Sequence, residues 1–205
     1  MAVVDSAVYV EGVRRSGVAG LDETYEIVRA TGGVAWIGLY RPTVDELESV
    51  AAEFGLHHLA VEDALKGHQR SKLERYGETL FLALRTARYI DETETVEFGE
   101  LHVFVGPQFV ITVRHAESPD LALVRDRLEA DPPLLAKGAE AILYAVLDEV
   151  VDEYEPIIDG LENDIDEIED QLFGESEHDL VTRRIYDLSS EVIGFQRAVQ
   201  PLIGI

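Results

Sequence analysis

Cysteine is missing from this 205-residue chain, so disulfide frameworks, thiolate metal sites and cysteine nucleophiles are all excluded. Positive charge is scarce: 17 Lys and Arg face 41 Asp and Glu, a formal net charge of −24. A surface this acidic repels the phosphate backbone. That excludes non-specific nucleic-acid binding as the main role and makes cations the natural small partners. No apolar run approaches the ~20 residues that span a bilayer. The opening MAVVDSAVYVEGVRR lacks a basic segment followed by an apolar stretch, so no signal peptide is evident and the chain as given reads as soluble and intracellular. Core material, by contrast, is plentiful. Apolar residues make up 46% of the chain and the mean hydropathy is −0.01, which suits one generous domain, or a domain with an appended element.

Residues 1–135 read as mixed α/β. Val34–Leu39 (VAWIGL) is an apolar run bounded by Gly32-Gly33 and Pro42, as a buried strand would be. Thr43 is placed to cap a helix over Val44–Phe54, with Glu46 completing a capping box and Gly55 ending it. A shorter helix follows over Leu59–Leu65, stopped by Gly67. Three strands come next: Thr79–Tyr89, whose TLFLAL portion is apolar on both faces, then Val96–Val105, then Phe109–Arg114. Gly106-Pro107 joins the last two by a tight turn, and the three together suggest an antiparallel meander. Ser118-Pro119 opens another helix reaching Ala130, and Asp131-Pro132-Pro133 ends it. The fold expected is a mixed sheet flanked by helices.

After Leu135 the pattern is helical. One segment spans Gly138–Glu155 and is interrupted at Pro156. A second, Ile157–Phe173, repeats Ile158, Leu161, Ile165, Ile168 and Leu172 at helical spacing before Gly174 breaks it. The last places Val181, Ile185, Leu188, Val192, Phe195, Val199 and Leu202 at alternating steps of four and three, a heptad seam that must bury itself against another helix. Either it packs on the preceding hairpin, or it opens a longer oligomer-forming helix whose remainder is absent. The ending PLIGI, without cap or polar tail, favours the second. The division expected is an α/β domain over 1–135, an acidic helical hairpin over 136–175 and the start of a long helix over 176–205. From Asp148 to Asp179 there are 15 Asp or Glu and no Lys or Arg among 32 residues. Such a run is either a solvated helix face or a cation-attracting surface.

No motif supports an enzyme. His58 and Glu62, four apart, could share a helix face, but third and fourth ligands are not apparent and no HExxH pattern exists. His102 sits in a strand, where a packed imidazole is the ordinary outcome, and His68, His115 and His178 fall in turn-like or terminal contexts without a nucleophilic arrangement around them. Ala30–Gly33 lacks the spacing and the Lys of a phosphate loop. The carboxylates say more. Glu62 and Asp63 form an acidic pair in the apolar helix LAVEDALKG, and Asp148 is the first acid after AILYAVL, at the boundary of a buried helix face. Mg²⁺ takes oxygen ligands and keeps much of its water, so a few carboxylates from separate elements suffice to bind it.

The stretch LAVEDALKGHQRSKLERYGETLFLALR, Leu59–Arg85, resembles the cytoplasmic-domain signature of the CorA-type magnesium channel family, with His68, Gln69, Arg70 and Lys72 on its core motif. VAWIGLYRP resembles the family's Trp-Ile strand, AEAILYAVLDEVVDEYEPIIDGLENDIDEIED its paired acidic helices, and FQRAVQPL the start of its stalk helix. The resemblance implies an α/β/α sandwich with a mixed, partly antiparallel sheet, followed by an acidic helical hairpin and the start of a long stalk helix. It implies identical subunits in a pentamer at the cytoplasmic face of the cell membrane. The transmembrane helices and the Gly-Met-Asn pore mouth would lie outside this chain, whose single Met is Met1. It implies a weak regulatory Mg²⁺ between neighbouring copies, held by Asp63 with Glu62 and by Asp148, that favours the closed state, the opposing stalk Asp lying beyond Ile205. The transported ion is Mg²⁺ or Co²⁺ in this reading. The alternatives are a Zn²⁺-transporting member of the same superfamily and a free-standing acidic helical adaptor.

Overall fold

The computed structural model describes residues 3–15, 21–67, 70–173 and 178–204, and a seven-stranded sheet organises them. The strands are β1 (Val3–Val10), β2 (Val13–Arg14), β3 (Val34–Tyr40), β4 (Lys72–Tyr76), β5 (Thr79–Ile90), β6 (Thr95–Gly106) and β7 (Phe109–Arg114). Their spatial order is β2-β1-β3-β7-β6-β5-β4. Neighbours are antiparallel throughout except β3 and β7, which run parallel with Trp36 opposite Val110 and Leu39 opposite Val113. The expected meander is β5 to β7, which β4 extends at the edge of the sheet.

Both faces of the central strands are apolar, so both need cover. Val8, Ile37, Phe81, Phe104 and Ile111 point to one side, where α1 (Leu21–Thr31), α2 (Val44–Phe54) and α3 (His58–Lys66) pack. Tyr9, Trp36, Leu82, Val103 and Val110 point to the other. There the cover is α4 (Leu121–Glu129), α5 (Pro132–Leu135), α6 (Ala139–Asp152), α7 (Glu155–Phe173) and α8 (His178–Val199), the last followed by a 3₁₀ turn over Gln200–Gly204. The result is the α/β/α sandwich that the sequence led us to expect.

Local signals place several of these elements. Thr43 Oγ1 accepts from the Glu46 amide at 3.3 Å while the Glu46 carboxylate accepts from the Thr43 amide at 3.0 Å, and Gly55 ends α2 at φ +64°. α4 starts after the cis Ser118–Pro119 bond, not at it, because Asp120 is the residue whose side chain reaches the Ala122 amide, at 3.0 Å. Asp131-Pro132-Pro133 does end α4, but Asp131 then caps α5, where prolines at the first positions lack only amides that had no partner anyway. Pro156 likewise falls in the first turn of α7 and separates it from α6 rather than breaking it. β1, β2, β4 and α1 drew no assignment from the sequence. The break expected at Gly174 lies outside the described residues.

The heptad seam of α8 divides into two rows. Val181 is buried, and Leu188, Phe195, Val199 and Leu202 pack against the core, whereas Ile185 and Val192 stay exposed. α7 does the same, with Leu161 and Ile168 buried and Ile158, Ile165 and Leu172 exposed. One row serves this chain's own core and the other is uncovered. Among the described residues no helix is long and apolar enough to cross a membrane.

α7 comes close to β5 at Gly160, where an added Cβ would stand 2.7 Å from the Tyr89 ring. Gly160→Val should therefore destabilise the fold by roughly 1–3 kcal/mol, read as a lowered urea midpoint. An unchanged midpoint would mean that α7 does not rest on Tyr89.

Candidate metal centre

The first turn of α3 is held by His57, whose extended backbone lets Nδ1 accept from the Leu59 amide at 3.3 Å. Its ring stacks on Tyr76 at 4.3 Å and on His58 at 4.6 Å between centroids. His57 is thus engaged as a cap and is no metal ligand in this arrangement. α3 buries Ala60, Val61 and Ala64 against the sheet, which turns Glu62 and Asp63 outward. Glu62 is exposed and pairs with Lys66 one turn on. Asp63 is half-buried and accepts from Lys72 Nζ at 2.7 Å, and the same ammonium reaches Glu74 at 3.0 Å. Burial alone would lower the Lys72 pKa; the Asp63 and Glu74 carboxylates outweigh it and hold the ammonium above its ordinary value. Lys72, matched in the sequence as part of a motif, is the counter-ion of Asp63. Arg70 of the same motif is exposed, and His68 and Gln69 lie outside the described residues.

His102 on β6 is the buried neighbour of this pair. It lies parallel to Phe81 with centroids 5.9 Å apart and edge-on to His115 at 5.8 Å, and neither ring nitrogen has a hydrogen-bond partner. Glu100 approaches no nearer than 3.9 Å. Burial first, then the field of His115, push its pKa down to about 4, so the ring is neutral at neutral pH.

Asp148 is exposed on α6, between the buried Val146 and Val150, at the boundary position expected of it. α6 covers the sheet face opposite to the one α3 covers. One copy therefore keeps Asp148 apart from Glu62 and Asp63. Among the described residues no group of three or more His, Asp or Glu is placed to hold a bare ion.

Asp164 escaped the sequence reading. It belongs to the acidic run that reads as either a solvated helix face or a cation-attracting surface, yet it is 3% exposed and its Oδ2 accepts from the Tyr89 hydroxyl at 2.8 Å. Burial pushes its pKa up, and it holds that of Tyr89 up in turn, behind burial. The signal was present: Asp164 stands three after Leu161 and four before Ile168, inside the buried row of α7.

The sequence profile of the CorA-like Mg²⁺ transporter proteins matches residues 31–205. The putative metal ion transporter YfjQ of Bacillus subtilis is 32% identical over 167 residues, 82% of this chain and 51% of the relative. The cobalt/magnesium transport protein CorA of Thermotoga maritima is 25% identical over 171 residues, covering 82% of this chain and 48% of the relative. The chain thus spans about half the length of these curated relatives. Among solved structures, the soluble domain of CorA from Methanocaldococcus jannaschii shares the fold with a TM-score of 0.74 at 17% identity, over 98% of this chain and 77% of that one. The ZntB cytoplasmic domain from Vibrio parahaemolyticus shares it with a TM-score of 0.60 at 15% identity, over 83% and 69%.

The neutral His102 has a consequence for stability. Folded, it takes up a proton only near pH 4; unfolded, it does so near the ordinary 6.5. Between these values the unfolded chain binds the extra proton, so acidification destabilises the fold by roughly 1.4 kcal/mol per pH unit from this group, levelling off below about pH 4. Asp164, Glu153 and Glu191, whose pKa values burial raises, act in the opposite sense. The measurement is therefore a difference. His102→Leu should remove one proton's share of the pH slope of the unfolding free energy, and equal slopes in both proteins would contradict the neutral, unpartnered ring.

Proposed function

Because this chain belongs to the CorA-like Mg²⁺ transporter protein family, we propose that it is the cytoplasmic, metal-sensing part of a homopentameric divalent-cation channel. In this reading Glu62 and Asp63 of one copy, and Asp148, hold a regulatory Mg²⁺ between neighbouring copies. The observation that carries it is the separation of the acids. α3 and α6 set them on opposite faces of the sandwich, which supports reading them as half-sites to be completed by another copy. The uncovered rows of α7 and α8, Ile165, Ile185 and Val192 among them, give neighbouring copies an apolar surface to share.

The chemistry is electrostatic. Facing carboxylates repel one another across a joint between copies, and this favours splayed domains and an open pore. Bound Mg²⁺ supplies a compact double charge and a water shell that these carboxylates can hydrogen-bond, which favours the closed ring. An all-oxygen donor set suits Mg²⁺, with Co²⁺ next. Zn²⁺, which prefers nitrogen and sulfur, is the poorer match where His57 is engaged as a cap and cysteine is absent. Asp63 cannot serve two cations fully, so Lys72 must yield as the carboxylate turns to a metal. That competition keeps affinity low, on the order of 10⁻³ M or ~4 kcal/mol per site, as feedback on a cellular pool requires. Several such sites around a ring still shift the open–closed balance together. The acidic run of α6 and α7 adds attraction for cations within the ~8 Å over which physiological salt lets it act.

In the full-length protein, Asp63→Ala should raise the internal Mg²⁺ needed for closure roughly tenfold, about 1.4 kcal/mol, in flux measurements on vesicles. Lys72→Gln, which removes the competing ammonium, should lower it. Unaltered closure in the Asp63 variant would overturn the assignment.

A further inference from the structure

A cleft of about 390 Å³ opens where residues 91–94, the turn between β5 and β6, meet α7 and α8. Glu94, Asp164, Asp187 and Glu191 line it, and Arg184 is the one basic residue among the described residues that do. The guanidinium is engaged to one side: Nη2 donates to Glu94 at 2.5 Å and to Glu167 at 2.7 Å. It stays 3.8 Å from Asp164 Oδ1. That oxygen, buried on a cleft-lining residue that is 3% exposed, accepts no hydrogen bond. A buried carboxylate oxygen without a donor is costly to keep, and more so among like charges. Glu191 is half-buried beside it. Its carboxylate accepts from the Val96 amide at 3.3 Å, while burial and then the nearby Asp164 and Asp187 push its pKa up. With Glu94, Asp164, Asp187 and Glu191 around the single guanidinium of Arg184, acids outnumber bases in the lining of the cleft.

The kind of cation follows from the spacing. Among the described residues no three acids converge to grip a bare ion, so ions that shed their water find no cage here. Mg²⁺ dehydrates reluctantly and is commonly held through one or two carboxylates with several waters retained. Six waters at about 30 Å³ each fill roughly half of the volume. We infer that this cleft holds one hydrated divalent cation of the Mg²⁺ type within a single chain, its water donating to Asp164 Oδ1 and to Glu191. Such an ion would tie the middle of α8 to α7 and to the β5–β6 ribbon. The site shares no residue with the one proposed between copies, and either can fail without the other.

The test uses the 205-residue chain, ¹⁵N-labelled, at about 0.15 M KCl to screen diffuse attraction, with Mn²⁺ as the probe. Substoichiometric Mn²⁺ should broaden the amide signals of Thr95, Val96, Asp164 and Glu191 first, and excess Mg²⁺ should restore them. Glu191→Gln and Asp187→Asn, both on the cleft's open side, should each weaken this effect about fivefold or more, without relying on the buried Asp164. The double variant Asp63→Ala, Asp148→Ala should leave it unchanged. Broadening spread evenly along α6 and α7, or indifferent to Glu191→Gln and Asp187→Asn, would overturn the inference, as would its loss in the double variant.

Discussion

A sheet whose central strands are apolar on both faces cannot leave either face wet, and the rest of the molecule is arranged around that requirement. β3 and β7 run parallel at the centre, and their side chains enter two separate cores. Helices must therefore lie on both sides, α1 to α3 on one and α4 to α8 on the other. Function inherits this division. The helix carrying Glu62 and Asp63 and the helix carrying Asp148 are kept apart by the sheet, so these three acids do not meet within one copy. The same layering explains why the seams of α7 and α8 are split, since a helix resting on a sheet buries one side only.

Positive charge is scarce in this chain, and several of the described bases stand where elements join. Lys72 ties the start of β4 to α3 through Asp63, Arg127 ties α4 to α6 through Glu149, and Arg184 ties α8 to α7 and to the β5–β6 turn. Arg125 is buried beside the Trp36 ring at 4.2 Å and reaches the Tyr9 hydroxyl at 3.0 Å and Asp5 at 3.1 Å, which joins α4 to β1 and β3. Each contact is modest where exposed. Against a net charge of −24, their placement decides where repulsion is relieved and where it is left. It is left at the Asp164 cleft, and it is held by a single lysine at Asp63.

Much was legible in the residues. The α2 helix could be bounded at both ends because its cap, its capping box and its stop are local. The hairpin strands β5 to β7 were legible for the same reason, through alternation and tight turns. β4 was not, since KLERY is an edge strand whose charges protect an open side and erase the apolar pattern. β1 was obscured by Asp5 and Ser6, which interrupt its apolar run. Of the candidate site, Glu62, Asp63 and Asp148 stand out as residues in the sequence, the acidic pair by its place in an apolar helix and Asp148 by its place after an apolar stretch. Their surroundings were not found. His57 as a cap is local but does not follow the usual Ser, Thr, Asp or Asn signal, while Lys72 as the partner of Asp63 and His102 as an unpartnered neutral ring depend on separate elements that the fold brings together.

The sequence by itself determined the caps, the heptad seams, the absence of thiol chemistry and the sign of the charge, because each depends on composition or on residues within a turn or two of one another. Tertiary structure alone decided the parallel pairing of β3 with β7, the placing of the acids on opposite faces, and which member of the acidic run is taken out of water. Strand order is settled by non-local pairing, and a carboxylate's surroundings by whatever packs over it. The identity of Asp164 says that it can carry charge; only the contact of α7 and α8 with the β5–β6 ribbon says that it must do so with little solvent and an oxygen left over.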